Sequence, residues 1–429
     1  MVHFANHISP DQLPTAFRAL MQIVPWSVWE KRIGELRPLM NRLPAWEQYL
    51  RERHGLEFAL ADSREYLRNT GRWPWPPRTA DEYRLAAFIT VLVRTFGNVS
   101  DPAKRRLAGS IRSALEKDSG LGPLALEMKA TGLAMRSGFD VTFHDLENGG
   151  GFDLLAQKGS SQIEIECKHI SADIGRQIHR RKVYELGDRL QGFLSNLLDK
   201  FDGGMLVRIN IPGRLTGNPQ QQSAIVRNVM SAAGGQPVSD DTCEAQIERF
   251  SLENSPFSGV SGHLSTLEDV QNFTARRFNL DNAHILTHWR PGKAAVVVHI
   301  ASATPDSVID RLFKHMIDDT KHQLSGTRPG CLCVHLADLS PEQLRDLARA
   351  EKLGEVTGIR RAISALLNRR SHLHTVALLT DGDVNFYQTR IGSKRVTEVV
   401  ETGPSYVFYN PDHPSANDPA LKHLFGGNS

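Results

Sequence analysis

The chain has few cysteines and no long apolar run, and these two absences set the first limits on what it can be. Four cysteines in 429 residues are too few and too scattered for a disulfide framework. No uninterrupted apolar run of about 18 residues occurs, and the opening Met1-Val2-His3-Phe4 lacks the basic and apolar regions of a secretory signal. The sequence therefore predicts a cytoplasmic protein without a membrane span.

The chain also lacks a strong charge of one sign and a phosphate-binding loop. A net charge of +3 neither requires nor excludes nucleic acid, so local clusters of charge must decide. Neither Gly-Lys-Ser nor Gly-Lys-Thr occurs, so ATP-driven translocation would need a partner protein. A hydrophobic fraction of 40% and a charged fraction of 23% exclude disordered and fibrous classes and leave a globular protein of two or three domains.

One stretch places an unusual set of charges on a predicted β-hairpin. A run from Phe152 and a turn at residues 158–161 lead into a second run with strict alternation. The alternating sets are Ile163, Ile165 and Cys167 on one face, and Glu164, Glu166 and Lys168 on the other. The second face therefore presents two carboxylates and an ammonium, with Asp153 near the start of the first strand. The plain alternative is the solvated edge of an ordinary sheet.

The elements predicted around this hairpin follow a defined order. A helix over 121–137 and a strand over 139–143 precede it, and a helix over about 174–200 and a strand over 205–211 follow it. The predicted order is α-β-β-β-α-β.

In these elements the chain resembles the PD-(D/E)xK superfamily, the restriction-endonuclease-like nucleases. Asp153 matches the first acid, Glu166-Cys167-Lys168 matches the (D/E)xK element, and Glu127 matches the acid that many members carry on the preceding helix. The resemblance covers roughly residues 120–211. Gly151-Phe152 stands where the name-giving motif has Pro, and Arg181 stands where the exonuclease branch has Tyr, four residues after Gln177.

The resemblance implies an α/β fold with a restriction-endonuclease-like core and phosphodiester hydrolysis. That reaction needs a hard divalent cation, an activated water and stabilised phosphate charge. Asp153 and Glu166 would bind Mg²⁺ or Mn²⁺, with the Cys167 carbonyl a further ligand. Lys168 would orient the water or neutralise the phosphate, and Glu127 would be the additional catalytic acid. DNA is the expected substrate rather than RNA, with restriction or defence as a role. The alternative is a non-catalytic nucleic-acid-binding module that keeps the fold.

A basic stretch directly after the hairpin is the predicted contact for nucleic acid. Residues 176–182 contain four permanent cations and no acid. The predicted contacts to the phosphate backbone are Arg176, Gln177, Arg180, Arg181 and Lys182. A solvated helix face is the alternative here, and it is the favoured interpretation of the basic stretch at 104–112. The cluster at 360–374 could contact nucleic acid or reflect a helix C-terminus.

The sequence predicts four regions. Residues 1–118 form a helical N-terminal region, 119–212 the nuclease-like core, 213–290 an insertion of unassigned role, and 291–429 an α/β C-terminal extension with a loose tail from 410. Cys331 and Cys333 share one face of a predicted strand, which favours packing over metal binding. The sequence leaves open whether the protein forms a homo-oligomer or acts with a partner protein.

Overall fold

The protein divides into two compact units, each with a sheet of its own. The computed structural model describes residues 10–42, 44–171, 173–253, 255–258, 267–278, 284–337, 344–345, 349, 357–391, 394–402 and 405–425. The first unit comprises the described parts of Met1–Pro38, Leu50–Ile174 and Ile309–Ser429. The second comprises the described parts of Leu39–Tyr49 and Gly175–Val308.

Helices dominate the described part of residues 1–118, as the sequence predicts. They are followed by two more helices that flank the first strand. The helices are α1 (Leu13–Ile23), α2 (Trp26–Met40), α3 (Pro44–Thr70), α4 (Ala80–Asn98), α5 (Asp101–Glu116), α6 (Gly122–Arg136) and α7 (His144–Asn148). Hydroxyl caps start two of them, because Thr79 accepts from the Glu82 amide and Ser100 accepts from the Ala103 amide.

The first unit is built on a mixed sheet of six strands. In spatial order they are β1 (Asp140–Phe143), β2 (Leu154–Lys158), β3 (Ser161–Ser171), β9 (Gly330–Ala337), β10 (Leu373–Leu379) and β13 (Ser405–Tyr409). The pairings β1–β2, β2–β3 and β10–β13 are antiparallel, whereas β3–β9 and β9–β10 are parallel. This part of the chain also contains the helices α11 (Val308–His322), α12 (Gly358–Arg369) and α13 (Pro419–Lys422).

Both faces of this sheet are covered. Ile163 and Ile165 of β3 pack in one apolar cluster with residues of α4 and α6. On the opposite face, Leu332 and Val334 of β9 pack with residues of α11 and α12. Because β3 lies between β2 and β9, it is an interior strand, and the solvated-edge interpretation of its charged face is wrong.

The second unit has a five-stranded sheet. In spatial order its strands are β5 (Val238–Ser239), β6 (Glu244–Phe250), β4 (Gly203–Ile211), β8 (Ala294–Ser302) and β7 (His284–Arg290). Helices α8 (Arg180–Lys200), α9 (Pro219–Ala232) and α10 (Leu267–Phe278) accompany it. Leucines of α8, including Leu190 and Leu194, pack in one cluster with Val296 and Val298 of β8. A further hairpin, β11 (Asp383–Ile391) with β12 (Lys394–Thr402), pairs separately from both sheets.

Two elements predicted for the core lie elsewhere. The strand at 203–211 pairs with β6 and β8 in the second unit, so the expectation that it follows β3 in the core sheet is wrong. The parallel neighbour of β3 is β9, and α11 precedes it. In chain order these elements are α6-β1-α7-β2-β3-α11-β9, so the short helix α7 is added to the predicted α-β-β-β-α-β order and residues 175–307 are interposed between β3 and α11.

Several boundaries differ from the predicted ones. The chain passes between units at 174/175 and 308/309, whereas the sequence suggested 212/213 and 290/291. The C-terminal tail is packed rather than loose up to Phe425, because Leu421 and Leu424 are buried in the first unit's core. A helix predicted to open at 340–343 falls outside the described residues. Within the described part of the chain, no helix combines the length and the apolar content that a membrane crossing requires.

Candidate functional site

The β2–β3 hairpin brings Asp153 next to the (D/E)xK element. Leu154 pairs with Ile165 across the hairpin, and Gly159 adopts a φ of +60° in the two-residue turn. Asp153, one residue before β2, lies beside the other strand, where its Oδ2 accepts a hydrogen bond of 2.7 Å from the Cys167 amide. The register therefore places the Asp153 carboxylate against the central residue of Glu166-Cys167-Lys168.

Glu166 and Lys168 form an ion pair on the same face of β3. Lys168 Nζ lies 2.8 Å from Glu166 Oε1, with the glutamate 1% and the lysine 22% exposed. Two side chains separated by one residue on a strand point the same way, so the alternation places them together. Removing a carboxylate from water is costly, and the nearby ammonium offsets part of that cost.

Glu127 of α6 joins this group electrostatically. Burial raises the pKa of Glu127 well above its ordinary value, and the negative charges of Asp153, Asp145 and Glu166 raise it further. The Lys168 ammonium acts in the opposite direction. The four residues predicted to be catalytic are therefore within electrostatic reach of one another.

Asp145 is a fourth acid of this group that the sequence did not indicate. It lies on the five-residue helix α7, and burial raises its pKa. Its Oδ1 accepts a hydrogen bond from the Leu146 amide, 2.6 Å away. No alternation or motif marks it, because α7 is too short to show a helical pattern. Asp145 is connected to the site by its negative charge, which raises the pKa of Glu127.

Two carboxylates of this group, Asp153 and Glu166, are hard oxygen ligands of the kind that Mg²⁺ binds. Among the residues that the structure describes, no three His, Cys, Asp or Glu side chains converge as a metal-binding group. Mg²⁺ keeps several waters and commonly needs only one or two protein carboxylates. Asp153 and Glu166 supply that number of hard oxygen ligands, and the mutual repulsion that raises the pKa of Glu127 is what a cation would relieve.

Glu164 has a different task from Glu166, although both lie on the same face of β3. Glu164 is fully buried and faces the Arg328 guanidinium, with Nη1 to Oε1 at 3.0 Å. It also accepts hydrogen bonds from the backbone amide and the hydroxyl of Ser325. These contacts tie the loop before β9 to β3. The structure thus gives Glu164 a structural partner set and leaves Glu166 beside Lys168.

The residues predicted to contact nucleic acid lie in the second unit, and several of them contact other protein residues there. Arg176 and Gln177 precede α8, which begins at Arg180, so the expectation of one continuous helix is wrong for these two residues. The backbone amide of Gln177 donates to Asp306 Oδ1 at 2.8 Å. The Arg180 guanidinium lies 5.3 Å from the centre of the Tyr49 ring.

An acid one turn into α8 also contacts this cluster. Arg181 Nε lies 3.1 Å from Glu185 Oε1, and Lys182 Nζ lies 2.8 Å from Glu185 Oε2. Residues 176–182 contain no acid, but the helix places Glu185 within reach because residues three and four apart share a face. The positive charge available to phosphates is therefore smaller than the heptapeptide alone suggests.

The two other basic stretches make contacts inside the first unit. Arg106 donates to the backbone carbonyls of Leu146 and Glu147, which fixes α7 to α5. Arg370 Nη2 donates to the Ile317 carbonyl, and a ring nitrogen of His372 lies 3.3 Å from the Thr320 carbonyl. These contacts favour structural roles for Arg106, Arg370 and His372.

A cavity of about 630 Å³ lies among α3, α4, α6 and the ends of β3 and β9. On its wall, His169 Nδ1 and His335 Nδ1 are 3.0 Å apart, and His335 Nε2 is 3.3 Å from Asp381 Oδ1. Burial alone would raise the pKa of Asp381, but His335, Arg84 and Lys129 outweigh it and hold that pKa well below its ordinary value. The sequence contained one signal for these histidines: each replaces an apolar residue on the core-facing side of its strand.

Comparison with protein-family models, with curated proteins and with solved structures found no match for the chain. Its function must therefore be inferred from its own residues.

Proposed function

We propose that the protein is a metal-dependent nuclease that hydrolyses phosphodiester bonds, with DNA as its substrate and a restriction-endonuclease-like core in its first unit. The observation that carries the proposal is the association of Glu127, Asp153 and Glu166 with Lys168. Three acids and one base, drawn from a helix and a hairpin, interact there, and buried charges of this kind concentrate at functional sites.

The order of elements supports the same proposal. The resemblance in sequence implied an α-β-β-β-α-β core, and the first unit contains α6-β1-α7-β2-β3-α11-β9 with β3 and β9 parallel, which differs from that order by the five-residue helix α7. The acids lie where this core would need them: Glu127 on the helix, Asp153 at the start of the second strand and Glu166 on the third. The interposed residues 175–307 leave this order unchanged.

The roles of the residues follow from their chemistry. Asp153 and Glu166 would hold Mg²⁺, which when bound acidifies a water and neutralises phosphate charge. Asp153 is oriented by the Cys167 amide, so its second oxygen is held in a fixed direction. Lys168 donates to a water or to a phosphate oxygen as a point charge. Burial raises the pKa of Glu127, which favours its protonated form, and a protonated Glu127 would donate its proton to the leaving oxygen.

The deciding experiment is a cleavage assay with plasmid DNA, linear duplex DNA, single-stranded DNA and RNA. Each substrate is incubated with Mg²⁺ or Mn²⁺, and with EDTA. We expect cleavage of DNA that requires the metal and is lost in Asp153→Asn and Glu166→Gln. Asp140→Asn, at an exposed carboxylate on β1 of the same sheet, is the matched control.

Two results would contradict the proposal. Cleavage that persists in EDTA would exclude this mechanism. Binding of nucleic acid without cleavage under any of these conditions would favour the alternative, a non-catalytic binding module in which the Glu166–Lys168 pair is structural.

A further inference from the structure

His144 lies directly beside the candidate metal ligand Asp153. It is the first residue of α7 and follows the last residue of β1. The pairing of β1 with β2 ends at Phe143 and Leu154, and just beyond it the His144 backbone amide donates a hydrogen bond of 2.8 Å to the Asp153 carbonyl. The backbone of the histidine is therefore fixed to the backbone of the candidate metal ligand.

The imidazole ring of His144 is held by stacking. It lies nearly parallel to the ring of Phe152, with the ring centres 3.9 Å apart and the planes at 14°. Phe152 is 2% exposed and packs in the same apolar cluster as Ile170 of β3. A buried ring of this kind gives the histidine a rigid surface, so the imidazole has little freedom to turn away.

A hydrogen bond from Asn148 determines which ring nitrogen of His144 carries the proton. Asn148 Nδ2 lies 3.0 Å from His144 Nδ1 and 3.0 Å from the His144 carbonyl oxygen. A carbonyl oxygen can only accept, so the atom of Asn148 that faces both groups is the amide nitrogen, and it also donates to Nδ1. In the neutral ring the proton is therefore on Nε2, which makes Nε2 a hydrogen-bond donor.

Among the residues that the structure describes, none accepts a hydrogen bond from His144 Nε2. The adjacent acid Asp145 accepts from the Leu146 amide through its Oδ1. The histidine is partly exposed, so the donor is open to molecules outside the protein. A side chain that is already oriented loses little entropy when it binds a ligand.

Exposed glycines leave the donor edge of the His144 ring uncovered. Residues 149–151 are all glycine and all exposed. A Cβ on Gly151 would lie 3.3 Å from His144 Cδ2 and 3.4 Å from Nε2, so a side chain there would crowd the edge that carries the donor. A Cβ on Gly150 would have no neighbour within 4 Å. A sugar-phosphate strand can therefore approach this edge closely.

We propose that His144 binds a phosphate of the DNA strand at the candidate nuclease site, a role that rests on the proposed function. Its Nε2–H donates to a non-bridging phosphate oxygen beside Asp153. An uncharged donor suits this place, because a further cation would compete with Mg²⁺ for the carboxylates. The substrate contact comes from a residue outside the Glu166-Cys167-Lys168 element but within the same unit.

Two replacements of His144 test this role in single-turnover cleavage with Mg²⁺. His144→Phe keeps a ring to stack on Phe152 and removes the donor, so cleavage should slow by about tenfold to 100-fold, as expected for one hydrogen bond to a charged group. Urea unfolding of this variant should match the parent. His144→Gln supplies a side-chain N–H and should keep most of the parent rate. His423→Phe, at an exposed histidine outside the site, is the matched control and should cleave like the parent.

The position of the ring proton is measured separately, from the long-range proton–nitrogen correlation spectrum of His144, assigned by its loss in His144→Gln. We expect the proton on Nε2 and a shift of that resonance when duplex DNA is added in EDTA. A proton on Nδ1 would overturn the inference and leave the nuclease proposal intact. So would parent-like cleavage by His144→Phe, or equal losses in His144→Phe and His144→Gln. A parent that cleaves no nucleic acid would overturn the proposed function, and this role with it.

Discussion

The Lys168 ammonium lies 2.8 Å from Glu166 Oε1 on the same face of an interior strand. Such a pair contributes little net stability, because the cost of desolvating two charges offsets their attraction. An apolar pair at these positions would pack as well between β2 and β9. The cost of keeping the charges therefore points to chemistry rather than to stability, and the pair is the first target for mutation.

Lys168→Ala should reduce the cleavage rate by about 100-fold or more, because it removes a cation that would stabilise charge developing in the transition state. It should also lower the free energy of unfolding by about 1–3 kcal/mol, since the buried Glu166 loses its counter-charge. Single-turnover cleavage and urea denaturation measure the two effects. The double variant Lys168→Ala/Glu166→Gln should regain stability but not activity. A parent-like cleavage rate in Lys168→Ala would assign the pair to structure.

Glu164→Gln should mainly lower stability, whereas Glu166→Gln should mainly lower activity. Glu164 accepts from Ser325 and faces Arg328 while fully buried, so its neutralisation should cost about 2–4 kcal/mol of unfolding free energy and little activity in the folded protein. Glu166→Gln should abolish cleavage with a smaller loss of stability. Activity is compared per folded molecule at a temperature well below the midpoint of each variant. If Glu164 proved the essential acid, the register of the proposed site would be wrong by two residues.

Mg²⁺ should stabilise the folded protein even without substrate. A ligand present at ten times its dissociation constant adds about 1.4 kcal/mol to the unfolding free energy, which corresponds to a few degrees in Tm. Asp153→Asn keeps an acceptor for the Cys167 amide but removes a charge, so it should lose this stabilisation while remaining folded. Thermal unfolding with and without Mg²⁺ checks this. A shift of equal size in the variant would place the ion elsewhere.

The basic cluster of α8 should bind phosphates with a strength that Glu185 limits. Replacing Arg180, Arg181 and Lys182 by Ala should flatten the dependence of DNA affinity on salt by up to about 0.9 per lost phosphate contact. Glu185→Gln should instead tighten binding, because it removes the acid that contacts Arg181 and Lys182. Fluorescence anisotropy at several salt concentrations measures both. Arg227→Ala, at an exposed cation of α9, is the control, and an unchanged slope in the triple variant would mark a solvated face.

Stability of the first unit should fall as the pH drops from about 6.5 to about 4. Burial, followed by the charge of His413, lowers the pKa of the fully buried His374 to about 4. The unfolded chain therefore takes up a proton on this histidine through a pH range in which the folded protein does not. The contribution amounts to as much as about 3 kcal/mol.

His374→Gln should flatten this acid limb, since glutamine does not titrate. Urea unfolding at pH 7.5, 5.5 and 4.5 measures the effect, with the exposed His423→Gln as the matched variant. Equal slopes for the parent and His374→Gln would show that other groups dominate the acid limb.

The hairpin and its immediate neighbours could be predicted because their signals are local. Alternation fixed the faces of β3, the turn at Gly159 fixed its pairing with β2, and α6 and β1 lie within a residue or two of their predicted bounds. Only the two-residue turn separates β2 from the charged strand β3, so the pattern of the sequence was enough to pair them.

The partner strand of β3 could not be predicted in the same way. Both 203–211 and 330–337 are rich in the apolar residues of a buried strand, and the sequence alone favours the nearer segment. Which strand pairs with β3 depends on contacts between distant segments, and no local sequence pattern reports such contacts. The difference between Glu164 and Glu166 has the same origin, because it rests on Ser325 and Arg328 from the loop before β9.

The cavity was beyond prediction for a related reason. His169, His335 and Asp381 come from three separate segments and meet only when β3, β9 and the chain after β10 are assembled. Each residue alone is an ordinary polar interruption of an apolar pattern. Only the distances between the three residues show that they form one group, and the sequence does not contain those distances.

The long interposed segment between β3 and α11 also matters for how the chain is made. Arg328, which tethers the loop before β9 to Glu164, is translated 164 residues after it. At about 5–20 residues per second, β3 waits roughly 10–30 s for its parallel neighbour on the ribosome. During that interval one side of β3 is an open strand edge, and the charges of Glu164, Glu166 and Lys168 are the kind that discourage pairing with other nascent chains. Glu166 and Lys168, which are proposed for catalysis, would thus also protect the half-built sheet from aggregation, together with the structural Glu164.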